Sequence, residues 1–174
     1  GRRRVPRHLR AVIPVTPRTP TVALDISCGL DTPRTGVGYA AVRQVAALES
    51  LPDSPLRLKL FATRSGAADA AIPELQSPLT VYPRLGALKL FAWTRCNAPA
   101  IERFTGACDI AHGLFHLLPA ARKAKRVVTI HDLSFIRYPQ FHTKETVAVH
   151  TRLVRHAVRH ADAIVAVRES TRGE

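Results

Sequence analysis

The 174-residue chain has no methionine, only five lysines, ten aromatic side chains and three cysteines. Each scarcity excludes something. Cys28, Cys96 and Cys108 are odd in number and share no metal-type spacing. They read as reduced thiols in a reducing compartment, not as the staples of a secreted domain. No apolar run approaches the ~20 residues of a membrane-spanning helix, which argues against an integral membrane protein. Aromatic residues make up 6%, so stacking platforms for bases are few, and with no nucleic-acid fold motif in view a nucleic-acid partner is not expected. Serine-hydrolase chemistry lacks its G-x-S-x-G elbow. Acids are also scarce: 13 against 26 lysines and arginines, a formal net charge of +13.

What is present is a globular composition, 46% hydrophobic and 22% charged, in a 19.1 kDa chain of ordinary single-domain size. Arginines outnumber lysines 21 to 5. Six of the arginines lie in residues 1–20, which hold four prolines and no acid. That segment reads as a disordered basic leader, and a chain opening on Gly1 reads as a fragment or a processed product. Without those six charges the body is still about +7, which suggests an anionic partner such as phosphate groups or an acidic membrane surface.

From Thr21 onward, short β-rich apolar runs alternate with helical patterns. Strands are expected at 21–27, 56–63, 79–82, 108–112, 126–131 and 162–167, and helices near 38–50, 67–75, 86–105 and 143–161. Strand–helix alternation with near-continuous apolar strands predicts a Rossmann-like α/β domain over 21–174, a parallel sheet with helices on both faces. On the last helix Val147, Val154, Ala157, Val158 and Ala161 share one face, expected to pack on the sheet. Arg152, Arg155 and Arg159 share another, with His156 and His160 close by. This is either a solvated basic face or a patch for anionic lipid or another phosphate-bearing surface.

In such sheets ligands bind at the carboxyl ends of the strands. Four loops are selected by that rule. The first, residues 28–38, ends in Gly36-Val37-Gly38 before a helix, where backbone N–H groups could meet an anion and Arg34 adds charge. Gly36, Gly38 and Ala41 also satisfy G-x-G-x-x-A, the dinucleotide fingerprint, with Arg64 where an NADP phosphate partner could stand. The second loop is Gly113-Leu114-Phe115-His116. The third begins at His131-Asp132, a pair suited to acid–base work or to binding hydroxyls. The fourth begins at Arg168-Glu169.

These residues together resemble a family. Thr35-Gly36-Val37-Gly38-Tyr39 resembles the T-G-[IV]-G-[RY] loop of family-4 retaining glycosyltransferases of the GT-B fold. Asp109-Ile110-Ala111-His112-Gly113, followed by Leu117-Leu118-Pro119, is similar to their D-x-x-H segment. Val128-Thr129-Ile130-His131-Asp132-Leu133-Ser134-Phe135, with Pro139 and Phe141, resembles V-T-I-H-D-L-S-F … P-x-x-F. Ala161 to Val167, with Glu169 to Arg172, resembles their A-D-x-[IV]-[IV]-A-V-S-E-x-T-R stretch, with Arg168 in place of the serine.

The resemblance covers the acceptor-side, N-terminal half of such an enzyme and implies sugar transfer from a nucleotide-diphosphate sugar to a hydroxyl of a carbohydrate or lipid-linked acceptor, with retention. His131 and Asp132 would be catalytic. Arg34, Gly36, Val37, Gly38, His112, Phe115 and His116 would contact substrate or phosphate. Neither a metal nor a resident cofactor is implied, and a C-terminal donor-binding domain, in cis or in trans, would be required. The alternatives are a non-catalytic basic module binding an anionic membrane through Arg152, Arg155 and Arg159, and an NADP-dependent oxidoreductase. The expected location is the cytoplasm, with peripheral contact at the inner membrane face.

Overall fold

A computed structural model describes residues 18–63, 71–82 and 88–172. Six strands form one parallel sheet: β1 (Thr21–Asp25), β2 (Arg57–Ala62), β3 (Leu79–Val81), β4 (Ile110–Gly113), β5 (Lys125–Ile130) and β6 (Ala163–Ala166). Their spatial order is β3-β2-β1-β4-β5-β6. The chain thus builds outward from β1 on one side, returns to β4, and builds outward on the other. All ladders are parallel; Val22 pairs with Leu58 on one flank and Ile110 on the other. This is an α/β Rossmann-like fold, with its topological switch between β1 and β4.

The apolar pattern of β1 explains its central place. Alternate residues point to opposite faces, and all five are buried. Val22 and Leu24 join Leu60 under Ala41, Val42 and Val45 of helix α1 (Gly36–Glu49). Ala23 joins Phe61 and Ala111 on the other face, with Trp93 of α2 (Leu88–Cys96) and Leu153 of α5 (Lys144–His160). Val128 and Ile130 continue that second face under Val154 and Ala157 of α5. Two short α-helices, α3 (Glu102–Thr105) and α4 (Ser134–Arg137), and 3-10 turns at Ser27–Leu30 and Pro139–Phe141 also precede α5, and α6 (Glu169–Arg172) follows β6.

Four carboxylates fasten the amino-end edge of the sheet. Glu49 accepts from the N–H groups of Gln76 and Ser77 ahead of β3. Glu102 accepts from Arg122, Lys123 and Ala124 ahead of β5 at 2.9–3.0 Å. Asp109, just before β4, accepts from Thr21 N–H at 2.7 Å and pairs with Arg18. Asp162, just before β6, accepts from Arg126 N–H and Lys125 Nζ, each at 2.8 Å.

Several expectations need correction. The helix expected over 86–105 is two, because Asn97 turns into the left-handed region (φ 47°) and Pro99 has no N–H to continue the ladder. Residues 71–75 of the helix expected over 67–75 form a turn, closed by Leu75 N–H to Ile72 O, with Pro73 inside it; residues 67–70 lie outside the described residues. Val158 does not pack on the sheet: it is 62% exposed, on the flank of α5, while Leu153 takes the buried position. β6 is not covered on both faces; Ile164 and Val165 are each about two-fifths exposed at the sheet edge. The leader expected over 1–20 lies outside the described residues up to residue 17. Among the described residues no helix is long and apolar enough to cross a membrane.

Candidate functional site at the switch point

A cleft of about 260 Å³ opens where the carboxyl ends of β1, β2 and β4 meet. It is lined by Asp25, Ser27, Cys28, Asp31, Thr63, Phe115 and Leu117. Asp25 ends β1 and is buried. Its carboxylate accepts from the N–H and the hydroxyl of Ser27, and Ser27 Oγ in turn accepts from Thr63 N–H at 2.9 Å. Ser27 therefore ties the end of β1 to the end of β2 and fixes the polar floor. Asp31 belongs to the first of the four loops that the sequence selects; Asp25, Ser27 and Thr63 are not marked by any sequence motif. The available signal was an acid closing the most apolar strand.

One rim of the cleft is the seat of α1. Gly36, Val37 and Gly38 form its first turn, not a loop ahead of it. Thr35 is the N-cap, its Oγ1 accepting from Gly38 N–H at 3.3 Å. The N–H groups of Gly36 and Val37 have no carbonyl of their own helix to bond. The two glycines differ. A Cβ on Gly38 would come 2.5 Å from the carbonyl oxygen of cleft residue Cys28, so glycine is needed for that close approach. A Cβ on Gly36 would meet nothing within 4 Å. Arg34 does not lend a free charge to this rim. Its Nε donates to Gly29 O and its Nη1 to Glu74 at 2.6 Å, and that guanidinium holds the Glu74 carboxyl below its ordinary range.

The opposite rim is aromatic. Phe115 stacks on His116 with ring centroids 4.3 Å apart and lies 6.1 Å from the His131 ring. His131 immediately follows β5, half-buried, and its Nε2 donates to Leu114 O at 3.0 Å. It thus stands behind Phe115 on the same sheet edge as Gly36 and Gly38, and does not line the cleft. Asp132 is exposed and turned to Ser134, accepting from its N–H at 2.9 Å and its hydroxyl at 2.5 Å. Burial pushes the Asp132 carboxyl up, but those two donors, with His116 and His142 nearby, outweigh it and the net shift is downward.

His116 is 2% exposed, so it supports Phe115 from beneath and does not face a ligand. Its Nδ1 shares a proton with His150 Nδ1 at 3.1 Å, and its Nε2 is buried with no partner. Burial, with the neighbouring His150 and His131, pushes His116 down to about 4. His112, mid-sheet on β4 and bonded to Thr129 Oγ1 at 2.9 Å, is pushed down to about 4 by burial alone. Both rings are neutral near pH 7. Arg152, Arg155 and Arg159 lie elsewhere, on the outer face of α5. Among the described residues no group of histidines, cysteines and acids is arranged to hold a metal ion, and none of the three cysteines is in a disulfide.

The cleft offers backbone donors, hydroxyls, two carboxylates and an aromatic wall, which suits a polyhydroxylated ligand with an anionic group at the α1 end. The dinucleotide fingerprint is not in its required place. A 3-10 turn (Ser27–Leu30) and six further residues separate β1 from Gly36, and Gly36 is already helical; Arg64 lies outside the described residues. Set against family models, curated proteins and solved structures, the chain matches none of them.

Proposed function

We propose that this chain is the acceptor-side half of a retaining glycosyltransferase, moving a sugar from a nucleotide-diphosphate sugar to an acceptor hydroxyl. The observation that carries the reading is the polar cleft at the β1/β4 switch point, flanked by the first turn of α1 and by the Phe115–His131 rim. The family-like motif Thr35 to Tyr39 falls on the first of these; of Val128 to Phe135, only His131 stands beside the second, while Val128, Thr129, Ile130 and Phe135 are buried. The hydroxyls of an acceptor fit Asp25, Ser27, Asp31 and Thr63. The departing diphosphate fits the N–H groups of Gly36 and Val37 and the positive end of α1. His131, its Nε2 proton held by Leu114 O, is fixed in one tautomer and would meet the transferred sugar once Phe115 turns aside. A second domain would supply the rest of the donor site.

The test is an amide NMR titration of the full chain with a panel of nucleotide-diphosphate sugars, free sugars and NADP. The expected result is perturbation of Gly36, Val37, Ser27 and Phe115 by sugar-bearing ligands. Perturbation by NADP alone would replace this reading with the oxidoreductase. No response to any sugar would remove it. Transfer by this chain without a partner domain would overturn its assignment as half of a site; with the partner added, His131→Ala should cut turnover by about 100-fold.

A further inference from the structure

A second concavity, about 520 Å³, runs between α2 and α5 on the outside of the helical layer. Arg95 from α2 and Arg152, Arg155 and Arg159 from α5 line it, with the hydroxyl-bearing Thr94 and Thr151. The spacing of 152, 155 and 159 puts three guanidinium groups on one helical face, where like charges repel. Among the described residues none of the four arginines is ion-paired with a carboxylate. Glu145 stands at the far start of α5, and Asp162, just beyond its end, is already engaged by Lys125 and Arg126. Arg152 is oriented by a hydrogen bond to Thr94 Oγ1 at 3.3 Å. His156 and His160 also line the groove, and His156 Nε2 is buried and has no partner.

We propose that this groove is a phosphate-recognition site, taking a phosphomonoester or polyphosphate group in the forks of Arg95, Arg152, Arg155 and Arg159. The guanidinium fork matches phosphate oxygens in pairs, which a lysine cannot do. Threonine hydroxyls add neutral donors, and an anion in the groove gives His156 Nε2 an acceptor once the ring is protonated. Burial first, and then the charges of His160, Arg126 and Arg152, hold His156 below its ordinary value. An entering dianion offsets the part of that resistance that the neighbouring cations supply. The volume exceeds that of a single bare ion and suits a phosphorylated headgroup or metabolite. No Phe, Tyr or Trp side chain lines the groove, which leaves a nucleobase only the His156 and His160 imidazoles to stack on. This inference is independent of the sugar-transfer reading, since the groove shares no residue with the switch-point cleft.

The test uses the full chain and two probes: pyrophosphate followed by calorimetry, and phosphatidylcholine vesicles with and without phosphatidic acid followed by sedimentation. Binding of pyrophosphate identifies a soluble source; binding only to the acidic vesicles identifies a lipid headgroup. In either case the His156 ring resonance should move on titration. Combining Arg152→Ala, Arg155→Ala and Arg159→Ala should weaken binding roughly 100-fold, as expected when three basic side chains leave an anionic surface. The same three positions changed to Lys should recover only part of that loss. The proposal is overturned if neither probe binds, if the alanine variant binds as the parent does, or if the lysine variant binds equally well, since a diffuse cationic field would then suffice. Gly38→Ala, which disturbs the other cleft, should leave this binding intact.

Discussion

The two edges of the sheet handle their ionisable groups in opposite ways. At the amino-end edge, Glu49, Glu102, Asp109 and Asp162 each accept backbone N–H groups from the strand entrances. Asp109 and Asp162 are held below the ordinary carboxylate range first by those backbone N–H groups. For Glu49 and Glu102 burial pulls the other way and the N–H groups still prevail. At the carboxyl-end half, imidazoles are withdrawn from water: His112 and His116 sit at about 4 because of burial, and His116 keeps a buried Nε2 with no partner. One edge is closed by its own hydrogen bonds. The other holds polar groups around an opening, at the strand ends where parallel sheets leave a crevice.

Acid should separate the two edges most strongly. The imidazoles have ordinary values of 6.5 and folded values of about 4, so they are neutral in the fold while the unfolded chain protonates. Their contribution is complete above 6.5 and is lost as pH falls toward 4. The four carboxylates have ordinary values of 3.8 or 4.5 and lower folded values, so theirs is lost only at still lower pH. Urea midpoints taken across the upper window should therefore fall with a slope of at least about two protons taken up on unfolding. His116→Phe should reduce that slope by about one. A flat profile above pH 4.5 would mean that the carboxyl-end histidines are not held neutral, and the contrast between the edges would disappear.

The amino-end edge can be broken alone. Glu102→Ala strands the N–H groups of Arg122, Lys123 and Ala124 at the entrance to β5 and should cost about 1–3 kcal/mol, seen as a lower urea midpoint with unchanged slope of the transition. Glu102→Gln, which keeps one acceptor oxygen, should fall between. Ligand binding at the switch-point cleft should be unaffected by either.

How much of this was legible follows from the residues. The six strands announce themselves because β1, β4 and β5 are apolar on both faces, and only a two-faced parallel sheet buries such runs. The break after α2 was written in Pro99, and the turn at 71–75 in Pro73; both are interior prolines in runs whose apolar spacing otherwise mimics a helix. Val158 misleads because periodicity gives an angle about the helix axis but not the width of the surface that covers it. His131 and the Gly36–Gly38 turn were placed on one edge by the rule for parallel sheets. The cleft floor was not, because Asp25, Ser27 and Thr63 become one site only when β1 and β2 pair, and no local pattern marks them.

The finest distinction lies inside the motif Gly36-Val37-Gly38. Its two glycines look equivalent in sequence and are not in the fold. Gly38→Ala would press a methyl group against Cys28 O at 2.5 Å and Arg34 Cγ at 2.8 Å. Helix α1 would have to lift from the loop that lines the cleft, at a cost of about 1–2 kcal/mol. Gly36→Ala puts its methyl group in open space at a first-turn position, and removing a glycine there should leave stability within about 0.5 kcal/mol or raise it slightly. Thermal midpoints of the two variants give the comparison directly. Equal destabilisation would mean that α1 is not seated on Cys28. If Gly36→Ala keeps the fold but weakens binding of a nucleotide-diphosphate sugar, the open space above Gly36 is where the anion approaches the helix, and the glycine is there for the ligand; Gly38 is there for the fold.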